Sequence, residues 1–314
     1  MTRFSKADAL HLGILAMLVI AFFVLPTYHV GAVSRIMVLA VYAIGLNLLF
    51  GYTGLLSLGH AMFFAAGMYG FGLAIKFMAA PVLLAFVLAL IAAAALSLVV
   101  GLLALRTAGV AFMIVTLMFA QTAYLVVLYF GEFTRGDEGF VLQQAERLLL
   151  GFDVTSETGR YFVAFSVFAI CFLGFARLVQ TPFGKRLIAI RENEERARML
   201  GYDVGRYKLL ALIVSGTISG CAGALYALLF GYVGATFASV QYSILPLLWV
   251  LLGGAGTTIG PLIGVMFMFY LIDASSAYTN SYMLIAGLVL VLLTMFAPKG
   301  IAGILRLRVM PWLP

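Results

Sequence analysis

The chain has 314 residues, 64% of them hydrophobic and only 10% charged, with a mean hydropathy of +1.14. Soluble domains carry about 25% charged residues, so this composition excludes a soluble globular protein and indicates an all-α, polytopic membrane protein. The net charge of +7 reads as Lys and Arg gathered in cytoplasmic loops rather than as a nucleic-acid surface, and Cys171 and Cys221, both in apolar runs, imply neither a disulfide nor a metal site.

The opening MTRFSKADALHLGILAMLVIAFFVLP has a basic start and an apolar stretch. No small-residue cleavage pattern follows it and more spans do, so it reads as an uncleaved first helix near 9–26 rather than a secretory signal. Further spans are predicted near 32–50, 55–76, 80–105 and 108–131. Their apolar runs approach or exceed the roughly 20 residues that cross a bilayer, and they are continuous rather than alternating, which indicates helices and not a barrel.

Two polar loops follow, and they differ in sign. Glu132 to Arg160 holds six acidic and three basic residues, whereas Arg177 to Lys208 holds eight basic and four acidic ones. By the positive-inside rule the second is cytoplasmic and the first external, with Tyr161 to Leu178 crossing between them. The external loop is expected over about 132–160 and the cytoplasmic one over about 181–208, within one transmembrane domain spanning 1–314.

A seventh span is predicted near 209–232. Apolar segments at 242–272 and 282–297 then lead to a basic tail with Lys299, Arg306 and Arg308. Placing both termini in the cytoplasm requires 242–272 to cross twice or re-enter, broken at GGAGTTIGP, Gly253 to Pro261, where glycine and proline can interrupt a helix. The total is about ten helical segments, some short or broken.

The polar residues are few. GYTGLLSLGHAMFFAAGMYG, residues 51–70, carries five glycines, Ser57 and His60 inside a stretch, Ile36 to Ile75, without one Asp, Glu, Lys or Arg. Small residues let membrane helices approach closely, which is also the plain reading of SGTISGCAG, Ser215 to Gly223. The only carboxylate the spans offer is Asp273, near a helix end, which argues against proton- or ion-coupled transport through buried carboxylates. There is no Walker sequence, HExxH or GxSxG, so no catalytic residue, metal ligand or cofactor site is assigned. Lys185 to Leu200 lacks Pro and Gly, pairs Glu192 with Arg196 and Glu194 with Arg198 at i,i+4, and stops at Gly201; it predicts one exposed cytosolic helix.

Several of these stretches together resemble the permease subunits of branched-chain amino acid ABC importers of the LivM type. The matching stretches, in order, are NLLFGYTGLLSLGHAMFFAAGMYG (47–70), LRTAGVAFMIVTLMFAQ (105–121), FTRGDEGF (133–140), FGKRLIAIRENEERARMLGYDVGRYKLLA (183–211), GGAGTTIGPLIGV (253–265) and FAPKGIAGIL (296–305).

The resemblance implies a non-enzymatic transport subunit in a bacterial inner membrane, importing leucine, isoleucine and valine. Its expected partners are a second permease of the LivH type, two ABC ATPases that use ATP and Mg, a periplasmic binding protein and membrane lipid, with no nucleic acid. It also implies a substrate pathway near Gly54, Ser57, Gly59, His60, Gly253, Gly254 and Gly256. ATPase coupling would fall on Arg191, Glu195, Ala197 and Gly201, the last three fitting an E-A-A-x-x-x-G start in which Arg196 replaces the middle alanine. A permease of the same family for urea, short amides or other small acids is an alternative; a stand-alone carrier or channel is another.

Overall fold

A computed structural model describes residues 6–149, 152–279, 281–296 and 299–308. Among the described residues seven helices are long and apolar enough to cross a membrane: α1 (Lys6–Val24), α2 (Thr27–Asn47, extended by a π-helical turn over Leu48–Tyr52), α3 (His60–Met78), α4 (Val82–Ala104), α5 (Val110–Tyr129), α7 (Glu157–Gln180) and α10 (Val204–Phe230). The short α6 (Gly131–Thr134) follows α5, and α8 (Pro182–Glu192) and α9 (Glu194–Met199) fill the basic loop. Three shorter apolar helices, α11 (Val240–Gly253), α12 (Gly260–Ser276) and α13 (Tyr282–Phe296), bring the apolar segments among the described residues to ten, and α14 (Gly300–Arg308) follows. The predicted break lies between α11 and α12, over residues 254–259.

The centre of the bundle is α2, α3 and α10, the most buried spans. Their approach is set by small residues: a Cβ on Gly67 would collide with the Gly220 carbonyl, and one on Gly223 with the Phe64 carbonyl. Backbone here packs on backbone, the expected solution where lipid removes the water-driven incentive to bury large side chains. By contrast α1, α4, α5 and α7 keep most of their apolar surface outward, with Ile20, Ile91, Met118 and Ile170 all exposed. In water such a surface would aggregate; in a bilayer it meets its own solvent.

The acidic loop is not loose. β1 (Phe140–Val141) pairs antiparallel with β4 (Tyr232–Val233), in register Phe140 with Val233, and β2 (Leu148–Leu149) pairs with β3 (Phe152–Asp153). Lys76 lies 4.2 Å over the Phe140 ring. Arg147 donates to the Leu228 and Leu229 carbonyls at 3.4 and 3.5 Å, placing a cation at the negative end of the α10 dipole.

Two expectations are corrected. The predicted span at 55–76 begins as a helix only at His60, because residues 53–59 are irregular. The single exposed helix predicted over Lys185–Leu200 is two helices, broken at Asn193, whose backbone is extended (φ −160°) and whose side chain accepts from the Arg196 N–H at 2.8 Å. Asn competes for backbone groups and favours the N-cap over a helix interior. The break replaces the expected Glu192–Arg196 pair: Glu192 binds Arg191 at 2.7 Å, while Glu194 binds Arg198 at 2.7 Å and Lys208 at 2.6 Å. Nor is the segment wholly exposed, since Leu187, Ile190 and Ala197 are buried. The two cysteines, assigned no role, are both free, Cys171 partly buried on α7 and Cys221 buried on α10.

Candidate functional site

Polar groups converge where α3 begins inside the bundle. His60, the first residue of α3, has no exposed surface. Its Nε2 lies 2.8 Å from the Ser215 hydroxyl of α10, which itself donates to the Gly45 carbonyl of α2 at 2.5 Å. A hydroxyl has one proton to give. With that proton spent on Gly45, His60 must donate from Nε2, which leaves Nδ1 as an acceptor; this atom is buried without a hydrogen-bond partner.

The surrounding backbone is held from three other directions. Ser243 of α11 accepts from the Ala61 N–H at 2.9 Å, Thr116 of α5 accepts from the Leu58 N–H at 3.2 Å, and Ser57 accepts from the Gly59 N–H at 3.2 Å. Ser57, Ser215, Ser243 and Thr116 are all buried. The N-terminus of α3, with its positive dipole end, is thus inside the protein, and its Gly59, Ala61 and Met62 N–H groups already have acceptors. One turn along α3, Phe64 enters a cluster with Tyr42, Tyr226, Phe237 and Tyr242, with ring centroids 4.8 to 6.1 Å apart among them. The cluster lies towards the end of the bundle where β4 and the acidic loop meet.

A second constellation sits at the opposite, basic-loop end. Asn47, fully buried at the end of α2, donates from Nδ2 to the Thr257 carbonyl at 2.9 Å and accepts at Oδ1 from the Gly256 N–H at 2.9 Å. Arg191 of α8 donates through Nη1 to the Gly51 carbonyl. A Cβ on Gly54 would lie 2.8 Å from the Arg191 Cγ, and one on Gly256 would lie 2.9 Å from its Nη1. Gly54 and Gly256 both have left-handed backbones, with φ of +77° and +74°, so glycine satisfies torsion and contact at once. Gly253 packs on Gly260, and Gly254 on Gly303 at the start of α14.

The candidate pathway residues therefore fall into two groups. Ser57, Gly59 and His60 belong to the buried site, Gly59 lying against the Thr116 carbonyl. Gly54, Gly253, Gly254 and Gly256 belong to the basic-loop end, where they meet Arg191 and α14. The other three candidate coupling residues stay together on α9 and the turn that ends it. Glu195 is exposed and Ala197 is buried with Ile190 and Val204. Gly201 ends the helix at φ +84°, with its N–H bonded to the Arg198 carbonyl and that of Tyr202 to the Ala197 carbonyl, a Schellman stop. Beside this stop the chain exposes Met199 and Leu200, at 84% and 67%, next to a cavity of about 530 Å³ lined by Phe183, Arg186, Tyr202 and Tyr207.

Sequence reasoning passed over Asn47, Thr116, Ser215 and Ser243. A polar residue in an apolar run is a signal of interior hydrogen bonding, and it was available for each of the four. Their partners, up to 210 residues away, were not.

The family model described as "Branched-chain amino acid transport system / permease component" matches residues 28–297. The chain is 27% identical over 94% of its length to the high-affinity branched-chain amino acid transport system permease protein LivM of Salmonella typhimurium, covering 75% of that protein. Shorter matches are to the probable branched-chain amino acid transport permease protein LivM of Methanocaldococcus jannaschii, 37% identical over 33% of this chain and 30% of that one. A further match is to the autoinducer 2 import system permease protein LsrC of Klebsiella pneumoniae, 32% identical over 32% of this chain and 31% of that one. No solved structure matches the chain. With a family model covering most of its length, and apolar helices packed around a buried polar site, the chain belongs to the branched-chain amino acid ABC transporter permease family.

Proposed function

We propose that this chain is one membrane-spanning permease subunit of an ATP-driven importer for branched-chain amino acids in a bacterial inner membrane, with both termini in the cytoplasm. The observation that carries the substrate class is His60: a buried acceptor atom without a partner, on the first residue of a helix that starts inside the bundle. A zwitterion has two needs, a hydrogen-bond acceptor for its ammonium and positive dipoles for its carboxylate. Nδ1 of His60 and the N-terminal turn of α3 supply both without any buried formal charge, and the neighbouring aromatic rings supply an apolar surface for a branched side chain. Ser57, Gly59, Ser215 and Ser243 line or brace the same site. A site without fixed charge holds the amino acid weakly, which suits passage; selectivity then rests with a periplasmic binding protein.

In this reading α8 and α9 seat on a cytosolic ATPase, and a second permease of the LivH type completes the pathway. Arg191 transmits movement of the seated loop to Gly51, Gly54 and Gly256, while Glu195, Ala197 and Gly201 hold the contact surface in shape. ATP and Mg are used by the partner ATPases.

The test is co-purification followed by reconstitution. Two ATPases and a second permease are expected to copurify, and proteoliposomes of the complex are expected to take up leucine, isoleucine and valine only with ATP and binding protein. Uptake of urea, a short amide or a sugar in place of these amino acids would replace the substrate; uptake by the chain alone would replace the mechanism with a carrier or channel.

A further inference from the structure

At the basic-loop end a cavity of about 420 Å³ opens between the α11–α12 break and α14. Arg191, Lys299 and Arg306 line it, together with Ala255 and Thr257, and among the described residues no acidic side chain does. Arg191 shares one Nη with Glu192 at 2.7 Å. Among the described residues no ion pair involves Lys299 or Arg306. Three converging cations against one carboxylate leave a surplus of positive charge that a bound anion would neutralise.

A second observation points the same way. Tyr52, only 2% exposed, has its hydroxyl buried without a hydrogen-bond partner, and it lies within electrostatic reach of both Arg306 and Arg191. A phenol hydroxyl so placed is a spare donor beside two guanidinium groups.

The chain next to the cavity identifies the form of the anion. α13 ends at Phe296, three residues before Lys299, and it exposes Leu284, Leu288, Leu292, Met295 and Phe296. The i, i+4, i+8 spacing of the three leucines makes a stripe that leads to the cations. Apolar helix surface followed at once by clustered Lys and Arg is the pattern of a segment that passes from acyl chains into headgroups. We propose that the Arg191, Lys299 and Arg306 cavity binds the phosphate of an anionic phospholipid whose acyl chains lie along α13. Arg191 also holds Gly51 of the π-helical turn, so an occupied cavity fixes the arginine that joins α8 to the π-helical end of α2 and to the α11–α12 loop. The site goes beyond the importer reading and stands whatever the transported molecule.

The experiment is native mass spectrometry of the full chain released from nanodiscs of equal parts phosphatidylglycerol and phosphatidylcholine. The variant is Lys299→Gln with Arg306→Gln, which leaves the Arg191 contacts intact. The wild type is expected to retain phosphatidylglycerol selectively, and the variant to lose that preference by roughly thirtyfold, at about fivefold per cation removed. Equal retention of the two lipids by the wild type, or unchanged preference in the variant, would overturn the proposal. Displacement of the retained phosphatidylglycerol by millimolar inorganic phosphate would also overturn it, because the cavity would then be a site for the free anion. A variant that elutes as aggregate is replaced by each single substitution, for which a fivefold loss is expected and no loss counts against the proposal.

Discussion

The carboxamide of Asn47 grips both polar groups of one peptide stretch, donating to Thr257 O and accepting from Gly256 N, each at 2.9 Å. The two hydrogen bonds fix which way the amide faces, and they tie the end of α2 to the loop that breaks α11 from α12. Replacing Asn47 by Leu keeps the approximate volume and leaves a buried N–H and a buried C=O without partners, at about 1–3 kcal/mol each. The expected result is a lower thermal midpoint for the purified protein in detergent, with normal membrane insertion. An unchanged midpoint would show that the clamp adds nothing to stability.

His60→Phe preserves an aromatic ring and removes both nitrogens. Because the Ser215 hydroxyl still donates to Gly45 O, the substitution is expected to leave assembly with partner subunits intact while reducing amino acid uptake at least about tenfold. That scale is reasonable for loss of one hydrogen bond to a charged group, roughly 1.5–3 kcal/mol. Uptake at the wild-type rate and affinity would confine His60 to packing.

Met199 and Leu200 are exposed beside the Schellman stop at Gly201. Neither side chain supports the loop, whose buried contacts are Ile190, Ala197 and Val204. Met199→Glu with Leu200→Glu is therefore expected to keep the fold and weaken ATPase co-purification severalfold. Equal recovery of ATPase would place the contact elsewhere on the loop.

Glu194 gives the basic loop a pH dependence. Its hydrogen bond to Lys208, with Arg198 adding to the effect, holds the carboxyl below its ordinary value of 4.5. The folded loop thus favours the ionised form more than the unfolded loop does. Its stabilising contribution is complete above about pH 4.5 and is lost as pH falls through the lower folded value. Amide exchange over α9 is expected to be slow and flat from pH 7 to pH 5 after correction for intrinsic rates, and to accelerate below that. Glu194→Gln is expected to exchange faster already at pH 7; identical protection in the two proteins at pH 7 would remove the ion pairs from the account.

Ten apolar segments, the acidic and basic loops and the break after Gly253 were legible because each is a local property: length without charge, sign of charge, glycine and proline in an apolar run. The helix stop at Gly201 was equally legible, since only a residue tolerant of positive φ can make it. Asn193 was missed as a break because nothing in the sequence distinguishes an Asn that caps a helix from one that is carried within it, until its side chain is seen to accept from Arg196 N.

What the sequence determined by itself is that this chain lives in a bilayer and crosses it many times, because hydropathy is read residue by residue and water excludes any other outcome. Only the tertiary structure decided how the few polar residues are used. It separated His60 from Gly256, joined His60 to Ser215 across 155 positions, and brought Arg191 to Gly51 across 140. The reason is physical: in lipid no water competes for a buried polar group, so its partner is whichever donor or acceptor the packed helices bring within reach, and that distance is not written in sequence order.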